Sequence, residues 1–169
     1  MKKYLAGNAG FTLVELAIGM TLTIILMSAV FGLLSVSLTS SRIGIAKVEA
    51  QETARVAVDA MVREIRNDAL DITVPATNTT SSTLSILIAD DQDSTKRNTV
   101  TFYVASKTLY RKLDKWNGNS GTFPVTEGTV TDLLFKVEHP RTVKISVTVQ
   151  TADDSIFSLE TSVAGLNTQ

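Results

Sequence analysis

The sequence predicts an α+β protein: one long N-terminal helix, transmembrane then amphipathic, packed against a C-terminal antiparallel sheet of about six strands. Three observations predict it. Phe11–Ser41 carries a single charged residue, Glu15. Arg42–Leu70 has no proline, and its apolar or small residues recur at steps of three or four. Beyond Leu70 the vocabulary turns to valine, threonine, isoleucine and aromatics between turn signals, the composition of strands. The 169 residues suit one ordinary domain plus this segment.

Phe11–Val36 would make a helix of about 39 Å, enough for a hydrocarbon core of roughly 30 Å. A secretory signal peptide has a shorter apolar run, about 7–15 residues, ending in a small-residue cleavage site, and no such site stands out here. Lys2 and Lys3 mark the cytoplasmic end and place the C-terminal bulk outside the inner face. Arg42 and Lys47 follow on the far side, accompanied by Glu49 and Glu52. Glu15 is the odd residue. A carboxylate inside an apolar helix costs roughly 2.5–3.5 kcal/mol near mid-bilayer and less near the interface. Either it reaches headgroups or it awaits a positive partner.

Ile43, Ala46, Ala50, Ala54, Ala57, Met61, Ile65 and Ala69 form the inner stripe of the second half, widened by Val58 and Val62. Arg55, Asp59 and Arg63 stand at spacings of four that allow pairing across turns. From Thr12 to Leu70 the helix would extend about 88 Å.

In the remainder, Thr77–Thr83 reads as a hydroxyl-rich loop. Leu84, Ile86 and Ile88 alternate, as do Val100, Phe102 and Val104, which lead through a tight link at Ser106-Lys107 into Thr108–Leu113. Asn117-Gly118 is a hairpin signal. Leu133, Phe135 and Val137 line a later strand, and Val143, Ile145, Val147 and Val149 give the cleanest period of two. A turn at Ala152–Ser155 precedes Phe157, Leu159 and Val163. The expected arrangement is an antiparallel meander backed by the Ala50–Ala69 part of the helix.

Little here suggests an enzyme. Cysteine is absent, which excludes disulfides and thiolate metal sites, and His139, beside Pro140, is the single histidine. Asp90, Asp91 and Asp93 offer hard oxygens, and Asp91-x-Asp93-x-Thr95 faintly resembles a calcium loop. It lacks the glycine and distal glutamate of an EF-hand, so a solvated turn is preferred and no cofactor or metal is expected. Asn78-Thr79-Thr80 matches a glycosylation acceptor pattern, which short strings meet by chance. The net charge of −1 supplies no basic field for nucleic acid. A local set, Lys96, Arg97, Lys107, Arg111, Lys112 and Lys115 with Tyr103, Tyr110 and Trp116, could still form a basic aromatic face for single-stranded DNA or a polyanionic surface. Solvated strand faces are the plainer explanation.

Gly10-Phe11-Thr12-Leu13-Val14-Glu15-Leu16, with the short basic leader and the apolar run, resembles the class III signal of type IV pilins and the pseudopilins of type II secretion and competence systems. The resemblance covers Met1 to about Ser40. It implies a cytoplasmic leader at 1–10 cut by a prepilin peptidase between Gly10 and Phe11, and N-methylation of the new Phe11 amino group. It further implies a transmembrane and assembly half at 11–40, an amphipathic half at 41–70 and a globular β head at 71–169. Glu15 takes the position of the family's assembly glutamate, and a freed Phe11 ammonium on an adjoining subunit is a fitting counter-ion. The implied partners are other pilin or pseudopilin subunits, the peptidase, an inner-membrane assembly platform and, before assembly, membrane lipid.

Many major pilins carry a proline where this chain has Gly32, and a C-terminal disulfide loop that this chain cannot form. Glu52–Asp68 and the hairpin TFYVASKTLYRKLD are similar to minor pilins and J-type minor pseudopilins. The resemblance therefore implies a low-abundance subunit that primes or caps an extracytoplasmic filament. Two alternatives stand beside it. One is a tip module of a DNA-uptake or type II secretion pseudopilus, recognising DNA, a surface or a secreted substrate through Arg111, Lys112 and Lys115. The other is a membrane-anchored protein that never polymerises.

Overall fold

The computed structural model describes residues 11–76, 78–139 and 142–164. Helix α1 runs Leu13–Asn67. Among the described residues nine strands follow: β1 Ala69–Val74, β2 Thr80–Ser81, β3 Leu84–Ala89, β4 Arg97–Ala105, β5 Thr108–Asp114, β6 Ser120–Pro124, β7 Val130–His139, β8 Thr142–Gln150 and β9 Ile156–Ala164. The α+β class holds. The chain divides into two units, Met1–Arg42 and Ile43–Gln169.

In the first unit every described residue is exposed, including apolar side chains such as Leu13, Leu33 and Val36. The helix is long and apolar enough to cross a membrane. Three of its hydroxyls are satisfied by back-bonding: Thr21 donates to the Ala17 carbonyl at 2.5 Å, Thr23 to Gly19 at 2.8 Å and Ser28 to Ile24 at 2.8 Å. These three therefore carry no unpaired donor into an apolar surrounding.

The second unit has one core. Ala50, Ala54, Ala57, Val58, Met61 and Ile65 of α1 pack with Leu84, Ile86, Val100, Phe102 and Leu109 of one sheet and with Leu133, Phe135, Val143, Ile145 and Val147 of another. Ala50, Ala54 and Ala57 supply the small end of this buried layer, and Met61 and Ile65 its large end. The expected stripe is buried along its length except at its first member, Ile43, which is exposed. Fully burying an aliphatic or aromatic side chain is worth about 1.5–3 kcal/mol, so this layer dominates the stability of the unit.

The expected single meander of about six strands is corrected, among the described residues, to nine strands in two antiparallel sheets, ordered β1-β3-β4-β5-β6 and β2-β7-β8-β9. The six expected segments are β3, β4, β5, β7, β8 and β9. The helix stops at Asn67 rather than Leu70, and Ala69 and Leu70 open β1, which pairs with β3 through two register irregularities. Thr80 and Ser81, expected as loop, pair with Lys136 and Phe135 of β7. The chain thus changes sheet three times, after β1, after β2 and after β6. Side-chain alternation reports which face of a strand is buried, and says nothing about which sheet the strand joins.

The turns follow the sequence closely. Ser106 and Lys107 both take positive φ, 49° and 61°, the conformation of a two-residue link whose twist matches its strands. Gly118 has φ 86° in the Lys115–Asn119 loop, where its amide donates to the Lys115 carbonyl at 3.0 Å. The two sheets are tied by Val130 N–H donating to the Lys107 carbonyl at 2.9 Å and by the Lys107 ammonium donating to Gln150 Oε1 at 2.8 Å.

Candidate functional site

The residues singled out by sequence fall into two regions, one in each unit. In the first, Gly10 and the leader lie outside the described residues, and Phe11 is exposed. Glu15 sits in the first turn of α1. Its Oε2 accepts from the Thr12 N–H at 3.0 Å and the Thr12 hydroxyl at 2.9 Å, while Thr12 Oγ1 accepts from the Glu15 N–H at 3.2 Å. This is a reciprocal capping box, Thr-x-x-Glu, which satisfies backbone donors that the helix start leaves open. Sequence reasoning weighed Glu15 as a charge and missed it as a cap, although the spacing carried the signal. Gly19 has open space where a Cβ would sit. Around it Glu15, Leu16, Met20 and Thr23 border a shallow groove of about 510 Å³.

In the second unit the candidate basic residues lie on different faces and in different pairings. Arg111 shares the alternation of Leu109 and Leu113 and so points toward the helix. There its guanidinium grips the Glu64 carboxylate with two donors, Nη2 to Oε1 at 2.5 Å and Nε to Oε2 at 3.1 Å. Lys112 points to the opposite face and pairs with Asp114 at 2.9 Å. Lys96 lies over the Trp116 ring, 3.2 Å from its centroid, and Tyr103 stacks on Tyr110 with centroids 5.7 Å apart. Of the three proposed binding cations, Lys115 alone lines the head cleft as a cation without a carboxylate partner, among the described residues. Glu64, the partner that neutralises Arg111, was not foreseen.

The cleft, about 750 Å³, is bordered by Glu64, Asp68, Asp90, Arg111, Lys115 and Trp116. Its acidic loop is internally employed. Asp90 accepts from the Gln92 N–H at 2.9 Å and from Asn98 Nδ2 at 3.0 Å, and Asp93 accepts from the Thr95 N–H and hydroxyl at 3.0 and 2.6 Å. These bonds hold both carboxyls below the ordinary carboxylate range. Among the described residues no three His, Cys, Asp or Glu side chains are grouped to hold a metal ion. The Pro140 turn and the His139 side chain lie outside the described residues.

Asp68 behaves oppositely. Burial raises its pKa first, and the negative charges of Glu64 and Asp91 raise it further against a smaller opposing pull from Arg111. A raised carboxyl holds its proton more tightly in the folded chain, so its contribution to stability declines as pH rises through that range. Asp68→Asn is expected to raise the melting midpoint by about 1–2 °C at neutral pH, the gap closing below about pH 4; melts at the two pH values check it.

No family model, curated protein or solved structure matches the chain.

Proposed function

We propose that the chain is a minor subunit of a type IV pilin-like filament, anchored in the cytoplasmic membrane with its head outside the cytoplasm. It enters or primes a pilus or pseudopilus once a prepilin peptidase has cut between Gly10 and Phe11. The observation that carries this reading is the Gly10–Leu16 motif set at the start of a helix that has two unlike halves. The first half presents apolar side chains all round, which require lipid or neighbouring helices. The second half buries a stripe against the two sheets. Such a chain has the parts of a filament subunit and is poorly furnished for catalysis. Its implied partners are other pilin-like subunits and an assembly platform in the membrane.

A second reading is favoured by the Thr12–Glu15 box: a carboxylate already bonded within its own turn can serve a membrane-anchored protein that never polymerises. Mass spectrometry of the protein from its native host tests the first reading directly. A mature N-terminus at Phe11, bearing a methyl group, is the expected result, and an intact Met1 start in envelope fractions overturns it. Recognition of DNA, a surface or a secreted substrate through Arg111, Lys112 and Lys115 together loses its basis, because the first two point to opposite faces and are already paired.

A further inference from the structure

Trp116 is the single tryptophan of the chain, and it is 51% exposed where it borders the head cleft. Tryptophan is among the side chains that most often anchor a bound partner. Its place is fixed from two sides. The Trp116 backbone N–H donates to Asn98 Oδ1 at 3.1 Å, and Asn98, itself buried, donates through Nδ2 to Asp90 at 3.0 Å. The Lys96 ammonium covers one ring face and does not border the cleft, so the rest of the indole is left to it. The polar side chains around the ring divide into two sets. Glu64 is committed to Arg111, Asn98 to Asp90 and Trp116, and Asp90 and Asp93 to their own loop. Among the described residues, the side chains of Asn67, Gln92 and Lys115 and the Trp116 indole N–H have no hydrogen-bond partner, and Asn117 uses only its Oδ1. The cleft, about 750 Å³, thus joins a stiff wall to a rim of unused amides around an aromatic ring, in the size range of small-ligand sites.

We infer that this cleft binds a neutral saccharide, with one sugar ring stacked on Trp116. Each part of the site answers one part of that chemistry. A pyranose ring carries weakly positive C–H groups on one face, and these settle against the negative face of an indole. Its hydroxyls donate and accept at once, and a side-chain amide offers both functions, which suits Asn67, Gln92 and Asn117 to hydroxyl pairs. An anion is disfavoured, because the border carries Glu64, Asp68, Asp90, Asp91 and Asp93 against Arg111 and Lys115. A cation finds few carboxylates to use. Glu64 is held by Arg111, and Asp90 and Asp93 by their own loop, which leaves Asp68 and Asp91 against Lys115. The inference adds a ligand to the head and stands whether or not the chain polymerises.

With one tryptophan in the chain, intrinsic fluorescence reports this cleft alone. Full-length protein, in a detergent without a sugar headgroup, is titrated with maltose, cellobiose, lactose and diacetylchitobiose. At least one is expected to give a saturable blue shift, while glucose 6-phosphate and spermidine, an anion and a cation, give none. Calorimetry with the same sugar then reads the variants. Trp116→Ala is expected to weaken binding at least about tenfold. Gln92→Ala combined with Asn67→Ala keeps the tryptophan and is expected to cost about tenfold as well. All three side chains are exposed, so melting should be unchanged. Lys144→Ala, on the other sheet, is the control and should bind as the unaltered protein does. Absence of a saturable response to every disaccharide, a response to the phosphate or the amine instead, or full affinity in either cleft variant overturns the proposal. The measurement needs no filament, so its failure leaves the pilin-like reading as it was, and an intact Met1 start leaves the saccharide site as it was.

Discussion

Glu15→Gln is expected to leave the subunit folded and membrane-bound while cutting its entry into filaments about a hundredfold. The size follows from one uncompensated charge in an apolar bundle, roughly 2.5–3.5 kcal/mol, at 1.4 kcal/mol per factor of ten. Glutamine suits this test better than alanine because Glu15 has two possible roles. As a cap it needs an acceptor oxygen for the Thr12 N–H and hydroxyl, which it holds at 3.0 and 2.9 Å, and a glutamine carbonyl supplies one. As an assembly residue it needs a negative charge to meet the Phe11 ammonium of another subunit, and an amide has none. Glu15→Ala removes both, adding about 1 kcal/mol of fraying at the helix start. Equal losses for the two variants, measured as subunit recovered in sheared filaments against subunit left in membranes, would assign the effect to charge. Normal entry of Glu15→Gln, with a defect confined to Glu15→Ala, would make the residue a cap alone and favour the non-polymerising reading.

The two roles show what a sequence can and cannot carry. The cap is local, four residues long, and was present in Thr12-Leu13-Val14-Glu15 for anyone counting spacing. Local pattern also carried the buried stripe from Ala46 to Ile65, the alternation of β3, β4, β7 and β8, and the tight links at Ser106-Lys107 and Asn117-Gly118. Non-local pairing escaped it. β2 is two hydroxyl residues, Thr80 and Ser81, with no apolar face of their own, and they become a strand only because β7 lies alongside. β1 follows the helix after a single residue, so no turn signal separates Ile65 from Ala69 and the stripe runs on into a strand. β6 contains one large apolar residue, Phe123, and leaves it exposed. These three short strands are edges of the two sheets, and the division itself, between β3-β4-β5 and β7-β8-β9, leaves no mark in the alternation.

That Arg111 and Lys112 lie on different faces was already legible in the sequence. Adjacent residues of a strand point to opposite faces, so Arg111 and Lys112 could never have acted together on one surface of β5. The partner of Arg111 could not be read in the same way. Glu64 lies 47 positions earlier on another element, and its neighbours in sequence, Arg63 and Arg66, face outward.

That partnership sets the second large effect. Arg111→Glu is expected to destabilise the head by about 2–4 kcal/mol before any ligand is considered. The guanidinium and the Glu64 carboxylate are both mostly shielded, with side chains 27% and 14% exposed. Replacing the arginine leaves Glu64 without its two charge-assisted donors and sets a second carboxylate facing it, next to Asp68, whose pKa is already raised by burial and then by negative neighbours. Denaturant melts of the full-length protein in detergent would report the loss as a lower midpoint at unchanged slope. The companion variant, Glu64→Arg with Arg111→Glu, restores opposite charges in the same space and is expected to recover at least half of the lost stability. The single reversal should therefore lose any surface or DNA attachment, and the swapped pair should regain it, because both follow the fold of the head. Were Arg111→Glu to melt like the unaltered protein, the ion pair would be contributing nothing to the fold, and a ligand-facing role for Arg111 would be open again.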